Sequence, residues 1–231
     1  MLARAWTFGA RLRRRLGRTA LPPYRELFGP HVEGRSFADV GAMWSVHGRY
    51  SFQAEEAGAR SVTAFDAMEP TAEFEAECQR RSSSVRFVRG DVNERESIER
   101  LGRHDVVWCS GVLYHSPDPL LTIRHLCEVT GELLLLASRT LPELPGLRHG
   151  AVFFPALGPS DRRLYARVFG EAEALSTPFN RDNVYANWWW GLTPSAMAAM
   201  VGVQPGFDVE RVVRGPLDTL VVARRSRVSA P

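Results

Sequence analysis

The chain contains no lysine: all 29 basic residues are arginine. Nothing in the chemistry requires that choice, and a GC-rich, bacterial-looking genome is its simplest source, so abundant arginine is not evidence of purpose. Cysteine is scarce as well. Cys78, Cys109 and Cys127 are odd in number and have no paired spacing. That excludes a disulfide framework and a cysteine-built metal site, and it suits free thiols in a reducing, cytoplasmic compartment. No apolar run reaches the roughly 18 residues of a membrane span, and "ELLLLAS" at 132–138 is strand-sized. No internal repeat is visible. Acidic residues are missing from positions 1–25, which hold seven arginines, whereas the remainder carries 22 Arg against 26 Asp and Glu. The basic balance therefore belongs to the N-terminal segment. A mildly acidic body argues against a broad nucleic-acid surface.

What is present reads as one globular unit. A chain of 231 residues, 45% hydrophobic and 24% charged, has room for a single sizeable domain with an insertion. At helical periodicity Leu2, Trp6, Phe8, Leu12 and Leu16 share one arc and Arg4, Arg11, Arg14, Arg15 and Arg18 the opposite one. This basic amphipathic helix ends near Gly17 and Pro22-Pro23. It suits a lid packed on the body, or contact with a membrane surface or RNA; a transit peptide fits the composition poorly. The spacing then predicts alternation: strands at 37–40, 61–65, 85–89, 105–109 and 132–138, with helices between them. Asn93 with Glu96 and Asp118-Pro119 read as helix starts. Five such strands imply a parallel sheet covered on both faces. Residues 139–190, rich in proline and aromatics, break the rhythm and read as a functional cap. Thr193-Pro194 opens a further helix, and strands near 207–214 and 218–224, joined by "GPLD", form an antiparallel last pair.

In an open α/β sheet, ligands bind beyond the carboxyl ends of the strands. Here those ends read Asp39-Val40-Gly41, Asp66-Ala67-Met68, Asp91-Val92 and Ser110-Gly111. An acid after the second strand accepts from two ribose hydroxyls and repels a neighbouring phosphate. Asp91 can accept from an adenine amino group, and Met68 can lie on an adenine face. Two cofactors fit this pattern, a dinucleotide and S-adenosyl-L-methionine. A dinucleotide needs clustered glycines for its pyrophosphate. Gly41 and Gly48 instead stand seven positions apart, with bulky Met43 and Trp44 between them, which favours the sulfonium cofactor.

The runs "DVG…GAxxVxAxD", "FVRGDV" and "DVVWCSGVLYHSPDPL" resemble the class I S-adenosylmethionine-dependent methyltransferase family over residues 35–138. The resemblance implies a Rossmann-like, doubly wound α/β fold with a mostly parallel seven-stranded sheet and an antiparallel last strand. An N-terminal helix and an aromatic-rich cap insertion add to it. It implies Asp39 and Gly41 at the methionine end, Asp66 at the ribose, and Asp91 and Val92 at the adenine; Gly48, Ala67 and Met68 are further candidate cofactor contacts. Ser110 and Gly111 would lie under the cofactor. The glycine loop departs from the family pattern as though three residues were inserted. Read as regions, 1–30 is helix and linker, 31–138 the cofactor-binding core, 139–190 the cap, 191–224 the completion of the sheet and 225–231 a disordered tail.

On the substrate side, His115 and His47 are candidate bases, each with a competing role as a loop anchor. Tyr114, Tyr185, Trp188 and Trp190 are candidate acceptor contacts. In an extended "NWWWG", Trp188 and Trp190 share one face and Trp189 takes the other. "NWWWGLTPSAMAAM" resembles the late region of bacterial methyltransferases acting on small molecules. "GVLYHSPDPL" also resembles the enzymes that carboxymethylate wobble uridine in tRNA. The expected function is methylation of a small organic acceptor at O or N, without a metal. A tRNA-modifying enzyme, a non-catalytic cofactor-binding module and a dinucleotide oxidoreductase are the alternatives.

Overall fold

A computed structural model describes residues 23–143, 148–170 and 172–226. The amphipathic helix expected near the N-terminus and residues 227–231 of the expected tail lie outside them. The described residues begin with α1 (Tyr24–Val32), followed by β1 (Ser36–Val40), α2 (Arg49–Glu56), β2 (Ser61–Asp66), α3 (Ala72–Arg81) and β3 (Arg86–Arg89). Next come α4 (Arg95–Leu101), β4 (His104–Ser110), α5 (Pro119–Val129) and β5 (Thr130–Arg139). After the cap, α8 (Pro194–Gly202), β8 (Phe207–Arg214) and β9 (Asp218–Arg225) complete the body. The seven strands lie in the order β3-β2-β1-β4-β5-β9-β8. β1 to β5 pair in parallel, and β9 runs antiparallel to both β5 and β8.

The period-two geometry of strands explains why β4 and β5 are apolar throughout. Val107, Cys109, Leu134 and Leu136 enter a core shared with α4, α5 and α8 on one face. Val106, Trp108, Leu133 and Leu135 enter a second core with α1 and α2 on the other. The helix starts at Asp118 and Thr193 form as expected: Asp118 accepts from Leu121 N at 3.0 Å and Thr193 from Ala196 N at 3.3 Å.

Three expectations are corrected. Residues 24–32 are a helix rather than part of a linker. Leu27, Phe28 and Val32 are buried, and the Phe28 ring lies 5.2 Å from Phe37 and 5.6 Å from Trp108. That burial overrides the Pro30 inside the last turn. Asn93 does not cap α4, whose N-cap is Glu94. The Asn93 side chain is drawn instead to Ser116, Thr122 and Tyr185. Arg225 belongs to β9 rather than to a tail, its guanidinium donating to the Cys127 and Thr130 carbonyls at 2.7 Å.

The cap contains β6 (Ala151–Phe153), α6 (Pro159–Val168), α7 (Glu173–Ser176) and β7 (Trp190–Leu192). β6 and β7 form a small antiparallel sheet, Phe153 opposite Trp190. The cap has its own core, in which Trp188 packs with Phe154, Tyr165, Phe169 and Leu175. Among the described residues no helix is long and apolar enough to cross a membrane.

Candidate active site

β3, β2, β1 and β4 are neighbours, so their carboxyl ends line one edge of the sheet, with the change of winding direction between β1 and β4. Asp39 lies at the end of β1 and is fully buried. Its Oδ2 accepts from Ser51 N at 3.0 Å and from Ser51 Oγ at 2.8 Å, while Oδ1 has no partner among the described residues. Burial, only partly offset by Ser51, pushes its carboxyl up to about 7. A buried acceptor with no donor is what a ligand ammonium would complete.

Asp66 ends β2 and is also buried. Its two oxygens accept from Met43 N at 2.8 Å and Met68 N at 2.9 Å. A carboxylate has about four acceptor positions, so capacity remains for a ligand hydroxyl. Burial raises this carboxyl too, opposed by backbone N–H groups of Met68, Met43 and Ala67. Ala67 and Met68 are exposed beside it.

Gly41 adopts φ +86°, and a Cβ there would lie 2.5 Å from Val112 Cγ2 and 2.8 Å from Ser110 O. Only glycine lets the first loop touch the tip of β4 in this way. The extra loop residues do not widen the turn. Gly48 N donates to Ala42 O at 2.7 Å, closing residues 43–47 into a compact bulge in which Ser45 and His47 take left-handed φ. Met43 turns inward against Phe52 and Phe74, and Trp44 turns out to solvent.

A Cβ at Gly48 would sit 2.3 Å from the Phe74 ring, so the space left by its missing side chain is filled by α3. His47 is carried to the same outer side. Its Nδ1 lies 3.0 Å from Thr71 Oγ1, in a charged hollow of about 350 Å³ between α2 and α3. It does not line the cavity described next.

That cavity, of about 150 Å³, lies beyond β4 and β5. Ser110, Gly111 and Tyr114 form one side, and Ala137, Ser138, Arg139 and Asp218 the other. A Cβ on Gly111 would meet nothing nearer than Tyr114 Oη at 3.8 Å, so the floor is open. The last four residues were not expected from the sequence. They stand at the end of β5 and the start of β9, strands far apart in sequence, and only the pairing of Arg139 with Asp218 brings them together.

The remaining expected contacts hold the cap to the body. His115 Nδ1 donates to Asn187 O at 2.7 Å, leaving Nε2 as the free acceptor, and burial lowers its pKa. Trp188 and Trp190 do both turn to the loop after β4. Trp188 lies 4.4 Å from the Tyr114 ring, and Trp190 Nε1 donates to Pro117 O at 3.0 Å. Neither tryptophan, nor His115, lines the cavity. Tyr185 Oη donates to Asp91 Oδ2, while Asp91 Oδ1 accepts from Asn93 N at 2.8 Å. The cap thus reaches the tip of β3, where Val92 is buried beside Asp91. Asn187, which the sequence offers only as a polar contact, is buried and hydrogen-bonded to Asn180, Asn183 and Val184.

Residues 39–132 match the family model described as "Methyltransferase domain". A tRNA U34 carboxymethyltransferase of Nautilia profundicola is 30% identical over 104 residues, spanning 42% of this chain and 32% of that protein. The match thus covers about a third of the length of that curated relative. The magnesium protoporphyrin IX methyltransferase of Synechocystis PCC 6803, solved with SAH bound, superposes with a TM-score of 0.55 at 18% identity, covering 95% of each chain. The N-terminal domain of EvdMO1, also with SAH bound, gives a TM-score of 0.57 at 16% identity over 96% of this chain and 81% of that one. At such identities the two structures establish a shared fold and nothing finer.

Proposed function

We propose that the chain is a class I S-adenosylmethionine-dependent methyltransferase and that it methylates a small organic acceptor held between the strand tips and the cap. The observation that carries this reading is Asp39 Oδ1, a buried carboxylate oxygen with no donor, one strand away from the Asp66 carboxylate at the tip of β2. An adenosyl amino acid has a donor for each: its ammonium for Asp39 and its ribose hydroxyls for Asp66.

When bound, S-adenosylmethionine supplies an electrophilic methyl carbon on sulfur and a thioether leaving group. The chain supplies position and dryness. Gly41 and Gly111 let backbone approach closely, Met68 backs the adenine, and Asp91 and Val92 border it. Asp91 shares its carboxylate with Tyr185, so cap and adenine meet at one residue. Ser110 and Tyr114 face the acceptor side of the cavity. Holding acceptor and methyl carbon in line within the small cavity removes much of the entropic part of the barrier. His115, fixed by Asn187, keeps the loop after β4 in place under the cap.

Calorimetry with S-adenosylhomocysteine tests the reading. Binding is expected, and Asp66→Ala is expected to weaken it by roughly 1.5–3 kcal/mol, the scale of hydrogen bonds to a charged group. Absence of binding would favour a non-catalytic module instead. The similarity to a tRNA U34 carboxymethyltransferase supports a second reading, in which the acceptor is a tRNA base. Tight RNA binding that falls steeply with salt would favour it.

A further inference from the structure

The cavity has a second end, formed where β5 leaves the sheet and β9 enters it. Arg139 and Asp218 face each other there across the ladder, with Nη1 3.1 Å from Oδ1 and 3.4 Å from Oδ2. Both side chains line the cavity and both are about 40% exposed, at 44% and 38%. Arg139 Nε and Nη2 make no hydrogen bond among the described residues, so donors remain for a ligand.

A cavity wall carrying one cation and one anion in contact selects by charge pattern. A ligand with a single charge satisfies one member of the pair and sets the other against a like charge or leaves it uncompensated. A ligand bearing a carboxylate and an ammonium a few ångströms apart answers both, replacing one ion pair by two with no change in net charge. Size narrows the choice. About 150 Å³ holds the equivalent of about five waters, enough for a handful of non-hydrogen atoms.

The geometry points to a small α-amino acid or its N-alkyl derivative as the methyl acceptor, with Arg139 on its carboxylate and Asp218 on its nitrogen. This rests on the methyl-transfer reading above. In the reaction the ammonium gives one proton to the Asp218 carboxylate. The neutral nitrogen then bonds to the methyl carbon as the carbon–sulfur bond breaks, and sulfur keeps the electron pair. The products are an alkylated ammonium and a neutral thioether, and Asp218 returns its proton to solvent through its exposed edge.

The test is calorimetry on the full chain saturated with S-adenosylhomocysteine, titrated with glycine, N-methylglycine and alanine, and with ethylamine and propionate as single-charge probes. At least one zwitterion is expected to bind, tenfold or more tighter than either single-charge probe. Arg139→Gln and Asp218→Asn are each expected to weaken it tenfold or more, with S-adenosylhomocysteine affinity changed less than twofold. The ligand panel on the unaltered chain decides the matter even where a variant fails to fold. Equal binding of single-charge probes, or no zwitterion binding to a chain that does bind S-adenosylhomocysteine, overturns the assignment alone. Failure of S-adenosylhomocysteine to bind removes the methyl-transfer reading and this assignment with it.

Discussion

Asp39 concentrates the electrostatic tension of the site. Its carboxyl is raised to about 7 chiefly because burial disfavours the anion. The sign of the consequence follows by linkage. Between about pH 4, where the unfolded carboxyl ionises, and about pH 7, the folded chain retains a proton that the unfolded chain has lost, so stability falls as pH rises across that window. The ceiling for one such group is about 4 kcal/mol. A ligand ammonium at Oδ1 would favour the anion again, so cofactor affinity is expected to climb over the same interval. Asp39→Asn should flatten the fall in melting temperature between pH 5 and pH 8 while weakening S-adenosylhomocysteine binding about tenfold or more. A variant that keeps the parental pH dependence would move the titration to another residue. His115 lies at a position after β4 that suits a base; its Nδ1 is fixed by Asn187 O and its ring meets Trp188 edge-on, while Nε2 keeps its lone pair.

Among the elements, the loop from Gly41 to Gly48 shows how spacing alone misleads. Seven positions between glycines suggest a wider cradle, yet the added residues coil outward and the hydrogen bond from Gly48 to Ala42 restores a tight turn. Gly48 then serves α2 and α3 through its contact with Phe74. Gly48→Ala is expected to lower stability by roughly 1–3 kcal/mol, combining left-handed strain with overpacking. Phe74→Leu should recover part of that loss, and S-adenosylhomocysteine affinity should hold within twofold. Denaturant unfolding together with calorimetry separates the outcomes, and intact stability with lost affinity would return Gly48 to the cofactor.

Across the whole molecule the cap is a second packing unit, with its own aromatic core and a polar clasp at Asn187. Few of its residues share the central sheet, so it can loosen while the sheet stays closed. Asn187→Ala removes the amide that donates to the Asn180, Asn183 and Val184 carbonyls and should cost roughly 1–3 kcal/mol of local stability. Hydrogen exchange is expected to quicken through residues 151–192 and to stay slow in β1, β4 and β5. Equal quickening everywhere would mean that cap and sheet unfold together.

The strands and most helix ends were legible in the sequence because they follow from local rules: alternation of apolar residues, turn residues and side-chain caps. The acids and glycines at the strand tips were legible for the same reason, since each ends a recognisable strand. What the residues do there was not. Phe28 makes a helix out of a proline-flanked stretch because Trp108 and Phe37 wait for it across the sheet. Phe74 claims the space at Gly48, and Tyr185 finds Asp91 from 94 positions away. Periodicity thus determined a parallel sheet covered on both faces and the row of acids along its edge, and the family resemblance its doubly wound order. Only the tertiary structure decided which carboxylate was left without a donor, and that Arg139 would meet Asp218, because both depend on contacts between segments whose separation along the chain carries no local signal.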